Sequence, residues 1–329
     1  MTAAARRRFL RQAALATAAP WPLAALAAPQ FAQGRLIVGF PAGDPVDIAC
    51  RSFGERMRDS YATTLIVDNR AGAGGRIGVQ EMRNAATDGS AMLLTPASML
   101  ALYPHVYKTL PYDPFKDLMP VSRAATFTFC LSVGPMVPAT VTDLGGFLAW
   151  CRDHPSQANF ASPGTGASPH FLGSLLARAA KVELNHVPYK GGSPAVSDMV
   201  AGQVASAVTS PAAVLPHVKS GRARMLAVTS PTRWSLVPDV PTMTEAGFPQ
   251  VTATEWFGFF MRGGAPAAAA NRASEAIRAA AAAIEQNGVL AQFAMQAHGS
   301  TPAELGELLA RDHAHWQSVV KSFGFTPQD

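Results

Sequence analysis

Short β-rich runs alternate with helical patterns along most of this chain, and almost every run stops at a turn made of Gly, Pro, Ser or Thr. The order opens with a strand over 35–40, whose apolar core Leu36-Ile37-Val38 ends in a Gly/Pro turn, followed by a helical pattern through Ile48, Arg51, Phe53, Arg56 and Met57. A strand over 64–67, a helix over 75–85 and a strand over 91–95 repeat it. Helices over 142–152, 168–180 and 194–201 then interleave with strands over 159–161, 183–187, 204–208 and 224–229. Strands that feed helices and return in the same direction build parallel sheets through right-handed crossovers, so the expected class is α/β.

The C-terminal stretch departs from this order. An Ala-rich helix starts near Pro266 and should stop at Asn287-Gly288, because glycine supplies the left-handed cap without steric cost. A second helix opens on Thr301-Pro302-Ala303-Glu304, a capping box with proline at the first helical position, and Gly324 is its expected stop. Leu305, Leu308, Leu309, Trp316, Val319 and Val320 place an apolar stripe on it, which predicts a helix packed onto a core.

Residues 1–27 read as an export leader. Arg6, Arg7, Arg8, Phe9, Leu10 and Arg11 precede an Ala-rich apolar run broken by Pro20 and Pro22, and Arg6-Arg7 before Phe9-Leu10 is similar to a twin-arginine signal. The run is shorter than the roughly 20 residues that span a bilayer, and Ala25-Leu26-Ala27 offers small residues for a peptidase. The leader holds four of the 27 Lys and Arg and none of the 22 Asp and Glu, which leaves 23 cations against 22 anions in the remainder. A nearly neutral body gives no electrostatic footing for nucleic acid. Cys50, Cys130 and Cys151 are too few and too scattered for a disulfide framework or a zinc site; Cys50 is expected as a small buried hydrophobe, and one disulfide pairing stays open.

Four loops rich in small residues follow predicted strands: Phe40-Pro41-Ala42-Gly43, Thr95-Pro96-Ala97-Ser98, Ser162-Pro163-Gly164-Thr165-Gly166 and Tyr189-Lys190-Gly191-Gly192. In such sheets these loops gather at one edge, each opening onto a helix N-terminus whose free N–H groups favour anions. Any one loop alone is a tight turn; four together point to a site. Gly72-Ala73-Gly74-Gly75-Arg76-Ile77-Gly78 imitates a dinucleotide fingerprint, yet its spacing is G-x-G-x-x-x-G, and the next strand ends in Thr-Pro where an acid should catch a ribose. No nucleophile elbow and no metal-binding spacing is present. His170 near Ser162 and Ser168 lacks a marked orienting carboxylate and is expected to hydrogen-bond at a helix start. His313 and His315 face apart on their helix and read as surface residues.

Taken in order, these segments resemble the Bug family, the extracytoplasmic solute receptors of tripartite tricarboxylate transporters. The resemblance is carried by Phe40-Pro41-Ala42-Gly43 with Asp47, by 67–78, by Thr87-Asp88-Gly89, by Leu110-Pro111-Tyr112-Asp113-Pro114, and by Ser162 to Gly166 with His170. It continues through His186-Val187-Pro188-Tyr189-Lys190-Gly191, Gly202-Gln203-Val204, Pro238-Asp239-Val240-Pro241-Thr242 and Trp256-Phe257-Gly258. It implies a two-lobed type II periplasmic-binding fold with mainly parallel or mixed sheets and a cleft between lobes. Lobe 1 would comprise 28–127 and 251–329, and lobe 2 would comprise 128–250, with crossings near Phe127 and Val251.

The resemblance further implies a receptor and not an enzyme: a small carboxylate trapped in the cleft, no cofactor or metal, and handover to membrane permease subunits. A periplasmic monomer without nucleic-acid partners is expected. An exported enzyme acting on a small acid and a ligand-sensing subunit are the rival readings. Carried over by position, the ligand would be held by Phe40, Ala42, Gly43 and Asp47, by Thr95, Ala97 and Ser98, and across the cleft by Ser162, Gly164, Thr165, Gly166 and His170. Tyr189 and Thr209 complete the set. Two departures stand out. Asp44-Pro45-Val46 replaces small residues and a threonine, adding a charge and deleting a hydroxyl, which should retune the carboxylate pincer. Ala205 and Thr209 stand where relatives often carry acids, which favours an amine-free carboxylate, aromatic ones included.

Overall fold

The structure is a computed structural model and describes residues 31–325 and 327; the expected leader lies outside the described residues. The chain begins with β1 (Phe31–Val38), α1 (Pro45–Met57), β2 (Ala62–Asn69), α2 (Arg76–Arg83) and β3 (Ala91–Pro96). Two single-turn helices, α3 (Ser98–Ala101) and α4 (Tyr103–Val106), lead to the long β4 (Leu118–Thr128). A second set follows: β5 (Cys130–Val133), α5 (Leu144–Asp153), β6 (Asn159–Ser162), α6 (Ser168–Ala180), β7 (Asn185–Pro188), α7 (Gly192–Val200), β8 (Ser206–Thr209), α8 (Pro211–Lys219) and β9 (Arg224–Val228). The chain then returns through β10 (Thr254–Arg262), α9 (Ala267–Asn287), β11 (Gln296–Ala297) and α10 (Pro302–Phe323).

These elements form two mixed sheets, one per lobe. The first has the order β11-β4-β10-β3-β1-β2, parallel across β3, β1 and β2 and antiparallel across the rest. The second has the order β7-β6-β8-β5-β9, parallel across β7, β6 and β8 and antiparallel beyond. Strands covered on both faces read as continuous apolar runs, and alternate residues then serve opposite cores. Leu36, Val38, Met92, Leu94 and Phe259 join one cluster with Phe53 of α1 and Ile277 of α9. Ile37, Leu93 and Phe260 join the other with Val79 of α2 and Leu305 of α10. Cys50, Cys130 and Cys151 are all buried and free, and no disulfide forms between them.

The chain changes lobes at two places tied to each other. Phe129 is the single residue between β4 and β5, and Ala253 immediately precedes β10. Thr229, at the end of β9 and fully buried, joins them. Its N–H donates to the Phe129 carbonyl at 2.9 Å, and its hydroxyl donates to the Ala253 carbonyl at 2.7 Å while accepting the Phe129 N–H at 3.1 Å. The Ala253 N–H returns to the Thr229 carbonyl at 2.8 Å.

Candidate ligand-binding site

The loop after β1 is wound around one carboxylate. Asp47, 1% exposed, accepts from the Gly43 N–H and Arg51 Nε, both at 2.9 Å, and from Asn69 Nδ2 at 2.8 Å. Burial works against its ionisation, but the hydrogen bonds from Arg51, Gly43 and Asn69 outweigh it and hold the group below its usual range. Gly43, with φ of 83°, makes the turn that brings its N–H inward. Asn69 also donates to the Phe40 carbonyl at 3.0 Å. Asp44 caps α1, accepting from the Val46 N–H at 3.1 Å. Burial pushes its carboxyl up to about 6; the Val46 N–H opposes this and the Asp47 charge adds to it, and no cation contributes. Pro45 has no N–H to offer and the Asp44 N–H goes to the Pro41 carbonyl, while the exposed Ala42 N–H has no partner among the described residues.

The loop after β3 is likewise engaged from within. Thr95 is 2% exposed, the Ala97 N–H donates to the Trp256 carbonyl at 2.9 Å, and the Ser98 N–H donates to Glu255 Oε1 at 3.1 Å. The segment that imitates a dinucleotide fingerprint packs beneath these loops: Gly75, with φ of 92°, faces the Phe40 ring and the Met99 sulfur with no room for a side chain. Close packing, rather than phosphate binding, accounts for that glycine.

In the second lobe, the loop after β6 rests on two imidazoles. Ser162, fully buried, lies 2.7 Å from His186 Nε2, and its hydroxyl also contacts the Gly164 carbonyl and N–H at 3.1 and 3.3 Å. The Gly166 N–H donates to His170 Nδ1 at 3.1 Å, the helix-start role expected of that histidine, with Gly166 at φ of 77°. His170 stacks on His186 with centroids 3.9 Å apart. Burial, and then the His170 charge, pull His186 down to about 4, so both rings are neutral donors and acceptors near pH 7. The contact of Ser162 with His186 has the outward form of a nucleophile and base, but the hydroxyl is sealed from solvent, and no described carboxylate hydrogen-bonds the imidazole. Tyr189 joins this loop through its N–H to the Ser162 carbonyl at 2.9 Å, and its hydroxyl donates to Asp198 at 2.8 Å. Thr209, fully buried at the end of β8, packs beside Gly192 and presents no surface of its own. The half-buried Thr165 N–H has no partner among the described residues.

The two lobes meet where these loops converge. Ser168, at the head of α6, donates its hydroxyl to Glu255 Oε2 at 3.1 Å, so one carboxyl is held by the Ser98 N–H of one lobe and by Ser168 of the other. Glu255 is 4% exposed at the start of β10, and burial pushes it up to about 7 against those two hydrogen bonds and a third from the Trp256 N–H, with the Asp312 charge adding. The space at Gly166 is bounded by Val106 of α4. Phe171 of α6 packs against Trp316 and Phe325, with centroids at 6.2 and 5.1 Å. The two lobes are therefore in contact at these loops. Two surface depressions, of about 240 Å³ beside Asp143 and Glu245 and about 310 Å³ beside Tyr107, Phe115 and His313, lie apart from these loops. His313 is half-buried and lies tilted against the His105 ring, centroids 4.3 Å apart, in contrast to the surface position expected of it; His315 is exposed. Glu255 was not anticipated from the sequence. Its signal is an acid directly before the apolar run Trp256-Phe257-Gly258-Phe259-Phe260-Met261.

Comparison with known proteins places this geometry in a lineage. Residues 49–325 match the family model described as tripartite tricarboxylate transporter family receptor. BugT of Bordetella pertussis is 32% identical over 294 residues, covering 88% of this chain and 89% of that protein. The Rhodopseudomonas palustris protein Rpa4515, solved with adipate, is 27% identical with a TM-score of 0.84 over 91% of this chain and 99% of its own. MatC of the same organism, solved with bound malate, is 25% identical with a TM-score of 0.78 over 89% and 99%. The two-lobed α/β fold is that of these solute-binding proteins, and the chain belongs to the tripartite tricarboxylate transporter receptor family.

Proposed function

We propose that this protein is a periplasmic receptor that captures a small carboxylic acid between its lobes without chemical change and delivers it to the membrane subunits of a tripartite tricarboxylate transporter. The observation that carries the reading is the carboxyl of Glu255, held between the Ser98 N–H and the Ser168 hydroxyl: loops from facing lobes bind a carboxylate with neutral donors. The free N–H groups of Ala42 and Thr165 offer the same chemistry to a second carboxylate, one from each lobe. Adipate and malate in the related receptors support the class of guest. Charge-assisted hydrogen bonds at about 1.5–3 kcal/mol each reach micromolar affinity, about −8 kcal/mol, with only a few such contacts and no covalent step. The lobes, 28–127 with 251–329 and 128–250, are the units that close.

Calorimetric titration with adipate, malate, benzoate and glutamate tests this. Saturable binding of at least one amine-free acid, recovered unchanged by mass spectrometry, is expected. Failure of every acid to bind, or its conversion to a product, overturns the reading.

A further inference from the structure

Glu255 combines three features that a structural carboxylate seldom shares: near-complete burial, no described cation within ion-pair distance, and hydrogen bonds from both lobes, the Ser98 and Trp256 N–H groups on one side and the Ser168 hydroxyl on the other. A lone ionised carboxylate is costly to bury, and three neutral donors only partly offset the loss of water. We propose that Glu255 is the clasp between the lobes: closure seats the Ser168 hydroxyl on a carboxyl that the first lobe already holds through the Ser98 N–H, and the clasp closes with uptake of a proton. The proposal rests on the receptor reading above, since it requires that the lobes part and close.

The geometry assigns the proton. In the neutral acid one oxygen accepts the Ser98 N–H while the other, as O–H, donates to Ser168 Oγ, so both contacts survive protonation with the serine contact reversed. The charged groups around it do nothing to keep it ionised. Asp312 of α10 adds negative charge and Tyr103 of α4 is neutral, while His170 on α6 turns its ring to Gly166 and His186. When the lobes part, the carboxyl regains water and its ordinary value of 4.5; closed, it stands near 7. A group with a higher pKa in the closed form favours closure fully below 4.5. That advantage is lost progressively as pH rises to about 7, and above 7 the closed form carries the whole cost of a buried charge.

The experiment is small-angle scattering of the purified, ligand-free protein at pH 5 and pH 8.5, with Glu255→Gln and Ser168→Ala alongside. Glutamine keeps an oxygen for the Ser98 N–H and an N–H donor for Ser168, as the neutral acid does. The parent protein should have a larger radius of gyration at pH 8.5 than at pH 5, and Glu255→Gln should be equally compact at both. Ser168→Ala, which leaves the β10 strand intact, should at least halve the shift. An unchanged radius in the parent, or a Glu255→Gln variant that follows the parent's pH response, overturns the clasp. If Glu255→Gln does not fold, a Ser168→Ala variant with the full parental shift overturns it instead. Because no ligand is used, failure of acids to bind would count against the receptor reading and leave this comparison readable.

Discussion

At the scale of single residues, the first loop is the place where this receptor differs most from a simple amide cradle. Asp44 spends one oxygen on the Val46 N–H, has no cation beside it, and is only partly reached by solvent. If the guest is an acid, this fixed charge repels it. Asp44→Gly should therefore raise adipate affinity on the order of tenfold at pH 7.5 by calorimetry, a modest Coulomb effect at the intermediate dielectric of a cleft. The pH dependence has a definite sign. With its carboxyl raised to about 6, Asp44 is neutral below that value, so the parent should bind acids more tightly as pH falls through 6, and in a Glu255→Gln background, where the closure-linked response is absent, Asp44→Gly should lose that tightening. An unaltered affinity in the variant would place Asp44 away from the guest. Asp44 was legible in the sequence as a departure from the resemblance, standing where the family usually carries a small residue. The role of Glu255 was not, because its partners Ser98 and Ser168 are 157 and 87 residues away and no local pattern announces them.

At the scale of elements, local rules were read where local chemistry decides. The C-terminal helix starts on the predicted capping box, with the Thr301 side chain accepting the Glu304 N–H at 3.2 Å and Glu304 returning to the Thr301 N–H at 2.8 Å, and it ends at Gly324. The preceding helix ends at Asn287, with Gly288 left-handed at φ of 64°. Thr301→Ala should cost about 1 kcal/mol of stability in urea unfolding, the usual value of a lost N-cap, and a loss within experimental error would show that tertiary packing alone holds that end. Strands β4, β5 and β10 escaped the sequence reading for a different reason. Each is buried on both faces, so none shows the two-residue alternation that marks a half-exposed strand, and their antiparallel partners are set by the return of the chain from the second lobe. The same limit applies to the site. The loops were legible as small-residue turns, but the N–H groups of Gly43, Ala97, Ser98 and Gly166 are already taken by Asp47, Trp256, Glu255 and His170, a pairing that only the assembled fold determines.

At the scale of the whole molecule, two lobes joined at Phe129 and Ala253 need a joint that bends without slipping. Thr229 supplies it by bonding to both crossing strands at once. Thr229→Val keeps the shape but orphans the Phe129 N–H. It should lower stability by about 1–3 kcal/mol and speed hydrogen exchange at Phe129, and unchanged exchange there would show that the backbone contacts suffice. A door whose two leaves share one pin swings but does not slide. With both crossing strands fastened to Thr229 by backbone and hydroxyl together, the closure proposed above would be a rotation about one short axis, gripping a guest by a change of angle and bringing the rims of the cleft together in the same register at every cycle.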